Sequence, residues 1–216
     1  MKHHRINLTG KKVAGLVVLL AAVAGGVYVH REEVKSQAQQ KAIAEEIIRL
    51  HVIANSDSEE DQALKMEVKE EIVAYLREEM GEANSVSKAR QIIQENMAEI
   101  EKIAKKKMQE KGYEYSAEAE LAQCYFPIKQ YGDMTFPAGE YEALRVKLGE
   151  SEGKNWWCVM YPSLCFVDST YQVVPDSSKE KLKQSLTAEE YDVLLDGGDD
   201  IEYSSRIWEW VQNLVE

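Results

Sequence analysis

From Ile48 to Ala54 the chain alternates, with Ile48, Leu50, Val52 and Ala54 set against Arg49, His51 and Ile53. A period of two predicts a strand with one face in a core. The strand stops at Asn55-Ser56-Asp57-Ser58, a cluster of short side chains that bond nearby backbone, and Asp57 or Ser58 caps the helix that follows. That helix runs from about Glu59 to Met80, because Leu64, Val68, Ile72, Tyr75, Leu76 and Met80 recur at spacings of three and four. Gly81 closes it. A second helix starts at Asn84 or Ser85, buries Ala89, Ile93, Met97, Ile100, Ile103, Ala104 and Met108, and ends before Gly112. Its lysines, Lys102, Lys105, Lys106, Lys107 and Lys111, sit in the last turns and suit the helix dipole, so they read as a solvated helix end.

At Tyr113 the period returns to two through Tyr115, Ala117, Ala119 and Leu121, a strand with one wet face. Pro127, Gly132 and Pro137-Ala138-Gly139 mark a loop. Glu140 to Leu148 alternates again, Gly149 to Gly153 is a turn, and Asn155 to Tyr161 is an apolar strand, which reads as a hairpin. The adjacent Trp156 and Trp157 point to opposite faces of that strand. Residues 168–186 read as irregular, Thr187-Ala188-Glu189-Glu190 is a capping box for a short helix through Leu195, residues 196–200 form an acidic loop, and a last helix carries Ile207, Trp208, Val211 and Leu214. The order predicts an α+β domain, a mainly antiparallel sheet with helices on one face.

The first 31 residues change the picture. Lys2, Arg5, Lys11 and Lys12 precede an uncharged run of 17 residues, Val13 to Val29, followed by His30 and Arg31. This predicts an N-terminal membrane or signal helix over residues 1–31 that sends the rest across the membrane, with two outcomes open, a membrane anchor or a segment cleaved near Ala22-Val23-Ala24. Residues 32–46 read as a helical stalk and 47–216 as a single extracytoplasmic domain, membrane-anchored or secreted. Residues 1–31 carry +5 against a net −12 for the whole chain, so the remainder is strongly acidic at −17. Such a domain has no basic face for phosphate and excludes nucleic acid as a partner.

Candidate chemistry is sparse. Gly149-Glu150-Ser151-Glu152-Gly153 fits the G-x-S-x-G pattern, but a strand follows where the elbow needs a helix, and no histidine occurs after His51. His51 with Asp57 and a remote serine leaves one enzyme reading, an exported hydrolase acting on cell wall or peptide. No ligand pair has zinc spacing, and no metal or cofactor is expected. Cys158 and Cys165 flank Tyr161-Pro162-Ser163, and two readings stand: a disulfide across that turn, or two packed thiols.

Two stretches carry a resemblance. Leu50-His51-Val52-Ile53-Ala54-Asn55-Ser56-Asp57-Ser58 with Asp61-Gln62-Ala63-Leu64-Lys65, and Pro137-Ala138-Gly139-Glu140-Tyr141-Glu142-Ala143-Leu144-Arg145-Val146 with Gly153-Lys154-Asn155-Trp156-Trp157-Cys158-Val159 and Leu164-Cys165-Phe166-Val167-Asp168, resemble the stage II sporulation protein R family over about residues 43–168. The resemblance implies an intercompartmental signalling protein of endospore-forming bacteria and not an enzyme. Members are exported from the forespore into the space between forespore and mother-cell membranes. There they are required to activate the membrane-bound aspartic protease that processes pro-sigma-E in the mother cell. The family transfers no site residues. The expected partner surface is the polar tip, Asn55, Ser56, Asp57 and Asp61, with His51 beside it and Trp156 or Trp157 nearby, because a dense polar loop with aromatic anchors suits an interface.

Overall fold

The computed structural model describes residues 10–81, 83–165 and 173–196. It divides into two units, residues 1–39 and 40–216. The described part of the first is a stretch of helix α1 (Gly10–Glu45), exposed from residue 23 to residue 38. Among the described residues no helix is long and apolar enough to cross a membrane. The N-terminal membrane-spanning helix expected from the sequence is thus not found among them. Its uncharged run is short, contains Gly15, Gly25 and Gly26, and gives way to Arg31, Glu32, Glu33 and Lys35 within the same helix.

The second unit is built on a four-stranded mixed sheet. Its strands are β1 (Ile48–Ile53), β2 (Ala117–Phe126), β5 (Gly139–Leu148) and β6 (Asn155–Tyr161), in the order β2-β5-β1-β6. A separate pair, β3 (Lys129–Tyr131) and β4 (Met134–Phe136), forms where a loop was expected, with Gly132 at positive φ in the turn. The expected hairpin of residues 140–148 and 155–161 does not pair with itself. β1 lies between the two strands, parallel to β5 and antiparallel to β6, and β5 pairs instead with β2. The sheet is thus mixed, with its one parallel pair at the centre.

Central placement explains why all six residues of β1 are buried, polar Arg49 and His51 included. Ile48, Leu50 and Val52 meet the helices α2 (Glu59–Glu79), α3 (Val86–Glu95) and α4 (Met97–Glu110), which present Leu64, Val68, Ile72, Ile93, Ile100 and Ala104. The single helix expected after Ser85 is divided at Asn96, whose Nδ2 donates to Ile92 O (2.9 Å) and whose Oδ1 accepts from Tyr75 Oη (2.5 Å). A side chain that bonds the preceding turn competes with continued helix. Arg49 and His51 face the other side of the sheet, which is not left bare: the β3–β4 pair covers its Arg49 end. Residues 176–185, read as irregular, form α5 (Asp176–Ser185), and α6 (Ala188–Asp196) packs on β4 behind the Thr187–Glu190 capping box. The expected loop at 197–200 and the last helix lie outside the described residues.

Candidate functional site

The tip after β1 is a latch. Ser58 caps α2 by accepting from Asp61 N (3.1 Å), which aims the Asp61 carboxylate back at the turn. Asp61 Oδ2 there accepts from Asn55 Nδ2 (2.8 Å) and Ser56 Oγ (2.6 Å), and Tyr115 adds a third side-chain bond. Burial pushes this carboxyl up, but the donors outweigh it and hold it below the usual carboxylate range. Asn55 Oδ1 accepts from Glu150 N (3.0 Å), Asp57 Oδ1 from Lys154 N (2.7 Å), Asn55 O from Glu152 N (3.1 Å) and Ala54 O from Gly153 N (3.0 Å). Lys65, buried, donates to Gln62 Oε1 and Lys154 O.

The partner of the latch is the loop from Gly149 to Lys154, which must cross the end of β1 to carry the chain from β5 to β6. A Cβ on Gly149 would strike the Asn55 side chain, and one on Gly153 would strike the Ser56 backbone. The G-x-S-x-G glycines are therefore there for close packing. Asn55, Ser56, Asp57 and Asp61 spend their hydrogen bonds inside the protein, while Asp57 stays exposed.

His51 and Trp157 belong to a different surface. Register pairs His51 with Arg145 on β5 and Trp157 on β6, and Arg145 with Glu120 on β2, so Glu120, Arg145, His51 and Trp157 form one row across all four strands. Trp157 stacks on the His51 ring at 3.9 Å and meets Phe126 edge-on at 4.5 Å. His51 Nε2 is 2.7 Å from Asn155 Oδ1. Glu120 Oε1 holds Lys147 Nζ at 2.7 Å and Arg145 Nη1 at 3.6 Å. Trp156 faces the opposite side, under Lys69 Nζ at 4.6 Å, so the two tryptophans do not act together.

Burial, with the Arg145 charge adding to it and the Asn155 bond opposing, pushes His51 down from 6.5 to about 4. The imidazole is neutral at neutral pH. Because the folded value lies below the unfolded one, the unfolded chain binds the extra proton between those two values. The stability tied to His51 is complete above the unfolded value and lost as pH falls toward the folded one, by up to about 3 kcal/mol. His51→Gln is expected to flatten the denaturation midpoint against pH between 6.5 and 4 relative to wild type. Parallel slopes for the two proteins would refute this.

Arg145, Asn155, Phe126 and Arg49 escape a sequence reading. Arg145 and Asn155 occupy alternate positions of strands and look like ordinary solvent-facing residues, although the register above brings both to His51. Arg49 is fully buried, with its guanidinium carbon 4.1 Å from the Phe126 centroid, 4.8 Å from Tyr141, 5.7 Å from Phe136 and 5.9 Å from Tyr131. Its Nη2 donates to Tyr131 Oη (2.8 Å), which donates to Trp157 O (3.1 Å), so the cage reaches the row.

His51 and Asp57 do not combine into a catalytic pair: the first bonds Asn155 and the second accepts from Lys154 N. Among the described residues no group of His, Cys, Asp and Glu could hold a metal ion. Cys158 and Cys165 are joined, with Cα atoms 5.2 Å apart, which decides between the two readings of that pair; Cys124 is free and buried.

No solved structure matches the chain. The family model described as stage II sporulation protein R matches residues 44–171. A curated relative named "Stage II sporulation protein R", from Bacillus subtilis (strain 168), is 35% identical over 173 residues, 80% of this chain and 77% of the relative. The matched span takes in the latch, the loop it grips and the whole four-strand row, and on these findings the chain belongs to the stage II sporulation protein R family.

Proposed function

We propose that this sporulation signalling protein acts outside the cytoplasm, in the space between forespore and mother-cell membranes. It engages the membrane-bound aspartic protease that processes pro-sigma-E and switches it on without performing catalysis. Family membership carries the signalling role. The Cys158–Cys165 disulfide supports an extracytoplasmic site of action, since such bonds persist in oxidising compartments.

The surface we assign to the protease is the face around His51, Trp157 and the exposed Asn155. One observation carries that assignment: the polar groups of the tip are used up in holding the β5–β6 loop, whereas the adjacent row keeps an aromatic anchor and charged side chains at a partly open surface, with unpaired nitrogens buried just beneath it. On this reading Asn55, Ser56 and Asp61 act on the partner by positioning the loop, and the exposed edge of Asp57 borders the contact.

The test is co-expression of the chain with the candidate protease and pro-sigma-E in a host lacking other sporulation proteins. Processing is expected with wild type. It should fall at least about tenfold with Trp157→Ala, the range of an interface anchor, and with Asn155→Ala, while both variants keep the wild-type circular dichroism spectrum. Undiminished processing by both folded variants would remove this face from the contact.

A further inference from the structure

The latch accounts for its own polar groups, but the neighbouring row does not. His51 Nδ1 and Arg145 Nε are buried and have no hydrogen-bond partner. The two nitrogens are of opposite kind. Asn155 Oδ1 only accepts, so His51 Nε2 carries the ring proton and Nδ1 keeps a lone pair, while Arg145 Nε–H only donates. Register makes these residues neighbours on one face. His51 is 6% exposed, but the Arg145 side chain is 35% exposed and Asn155 stands in solvent, so the row opens toward its edges. Unpaired buried groups are uncommon in native interiors, and each one asks what completes it.

We propose that this row is a subsite for a neutral group of the partner protein that carries both a proton and a lone pair, a side-chain carboxamide or a hydroxyl, donating to His51 Nδ1 and accepting from Arg145 Nε. The inference rests on the assignment of this face to the partner and goes further by stating the chemistry recognised. A carboxylate satisfies Arg145 but turns its lone pairs on that of His51. An ammonium group meets Arg145 and Lys147 at close range. Glu120 holds both neighbouring cations, Arg145 and Lys147, and balances one of their two charges, so the choice of a neutral group rests on the lone pair of His51. A neutral donor–acceptor group completes both nitrogens at once, and a site built that way discriminates strongly against analogues that leave one unpaired.

The experiment uses the full chain in detergent, labelled with ¹⁵N-histidine, alone and with the candidate protease. Expected on binding is a shift of the His51 Nδ1 resonance from that of a free lone pair toward that of a hydrogen-bonded acceptor, with Nε2 still protonated. Arg145→Lys keeps the charge and removes the Nε–H. It is expected to weaken the complex roughly tenfold, the scale of one hydrogen bond to a charged donor, and to leave the free protein's melting temperature unchanged. A complex in which Nδ1 does not move overturns the subsite and leaves the functional reading standing. A complex in which both ring nitrogens become protonated overturns it too, because the partner then supplies a carboxylate. A wild-type chain that forms no complex overturns the functional reading and the subsite with it.

Discussion

Asp61→Ala is expected to cost about 2–4 kcal/mol, at about 1 kcal/mol or more for each neutral donor left without its acceptor. The acceptor it removes serves Asn55 Nδ2, Ser56 Oγ and Tyr115 together, and among the described residues no other carboxylate bonds all three. Asp61 is 4% exposed, so solvent does not readily replace it. The helix cap itself survives, because Ser58 accepts from the backbone of residue 61 whatever its side chain. The loss therefore falls on the latch. Urea unfolding should show the lower midpoint, and amide exchange should show where the damage lies: Glu152 and Gly153, which donate to Asn55 O and Ala54 O, are expected to exchange much faster, while Val68 and Ile72 in α2 keep their protection relative to global unfolding. Asp61→Asn retains one acceptor and brings an amide against existing donors, so an intermediate cost of about 1–2 kcal/mol is expected. Because the folded carboxyl sits below its ordinary range, wild type gains stability over Asp61→Ala above the unfolded carboxyl value and loses that advantage as pH falls through the folded one. Equal midpoints for wild type and Asp61→Ala would show that the tip is not held by this carboxylate.

Much of this network is legible in the sequence, and the limits of that legibility follow from which interactions are local. Asn55, Ser56, Asp57 and Asp61 lie within seven positions, and short side chains beside a helix start announce a cap in any context. What they grip is not announced. The loop at 149–154 carries the local signs of a hairpin turn, and nothing in those six residues says that a strand from a hundred positions earlier enters between the two it joins. The same blindness hid the second buried face. Alternation of Arg49 and His51 with Leu50 and Val52 is the pattern of a half-wet strand, and it takes the β3–β4 pair and the rings of Phe126, Tyr141 and Trp157, all distant in sequence, to cover that face as well. His51 and Trp157 drew notice because histidine and tryptophan are rare here. Arg145 and Asn155 are ordinary residues made significant by register.

Arg49 gives the second large effect and a comparison that separates packing from charge. Arg49→Ala empties the centre of the aromatic cage, and truncating a large, fully buried side chain there should cost about 3–5 kcal/mol. Arg49→Met fills most of the same volume without the charge. In the wild-type cage the guanidinium donates to Tyr131 and bonds the Tyr141 hydroxyl as well, but its Nε and Nη1 have no partner. A desolvated guanidinium costs several kcal/mol, and with no carboxylate among the described residues to answer it, the ring faces of Phe126 and Tyr141 must do so at about 2 kcal/mol each. The two sides nearly cancel. Arg49→Met is therefore expected to lie within about 1 kcal/mol of wild type, on either side, as volume-conserving replacements of buried charges often do. Tyr131 keeps its bond to Trp157 O but loses the donor that fixed its hydroxyl, so amide exchange in β3 and β4 should quicken even where the global midpoint is unchanged. If Arg49→Met unfolds as readily as Arg49→Ala, the rings hold the cation far more strongly than about 2 kcal/mol each. The central strand would then be charged at net gain to the fold, and the arginine would need no role at the neighbouring row to explain its place.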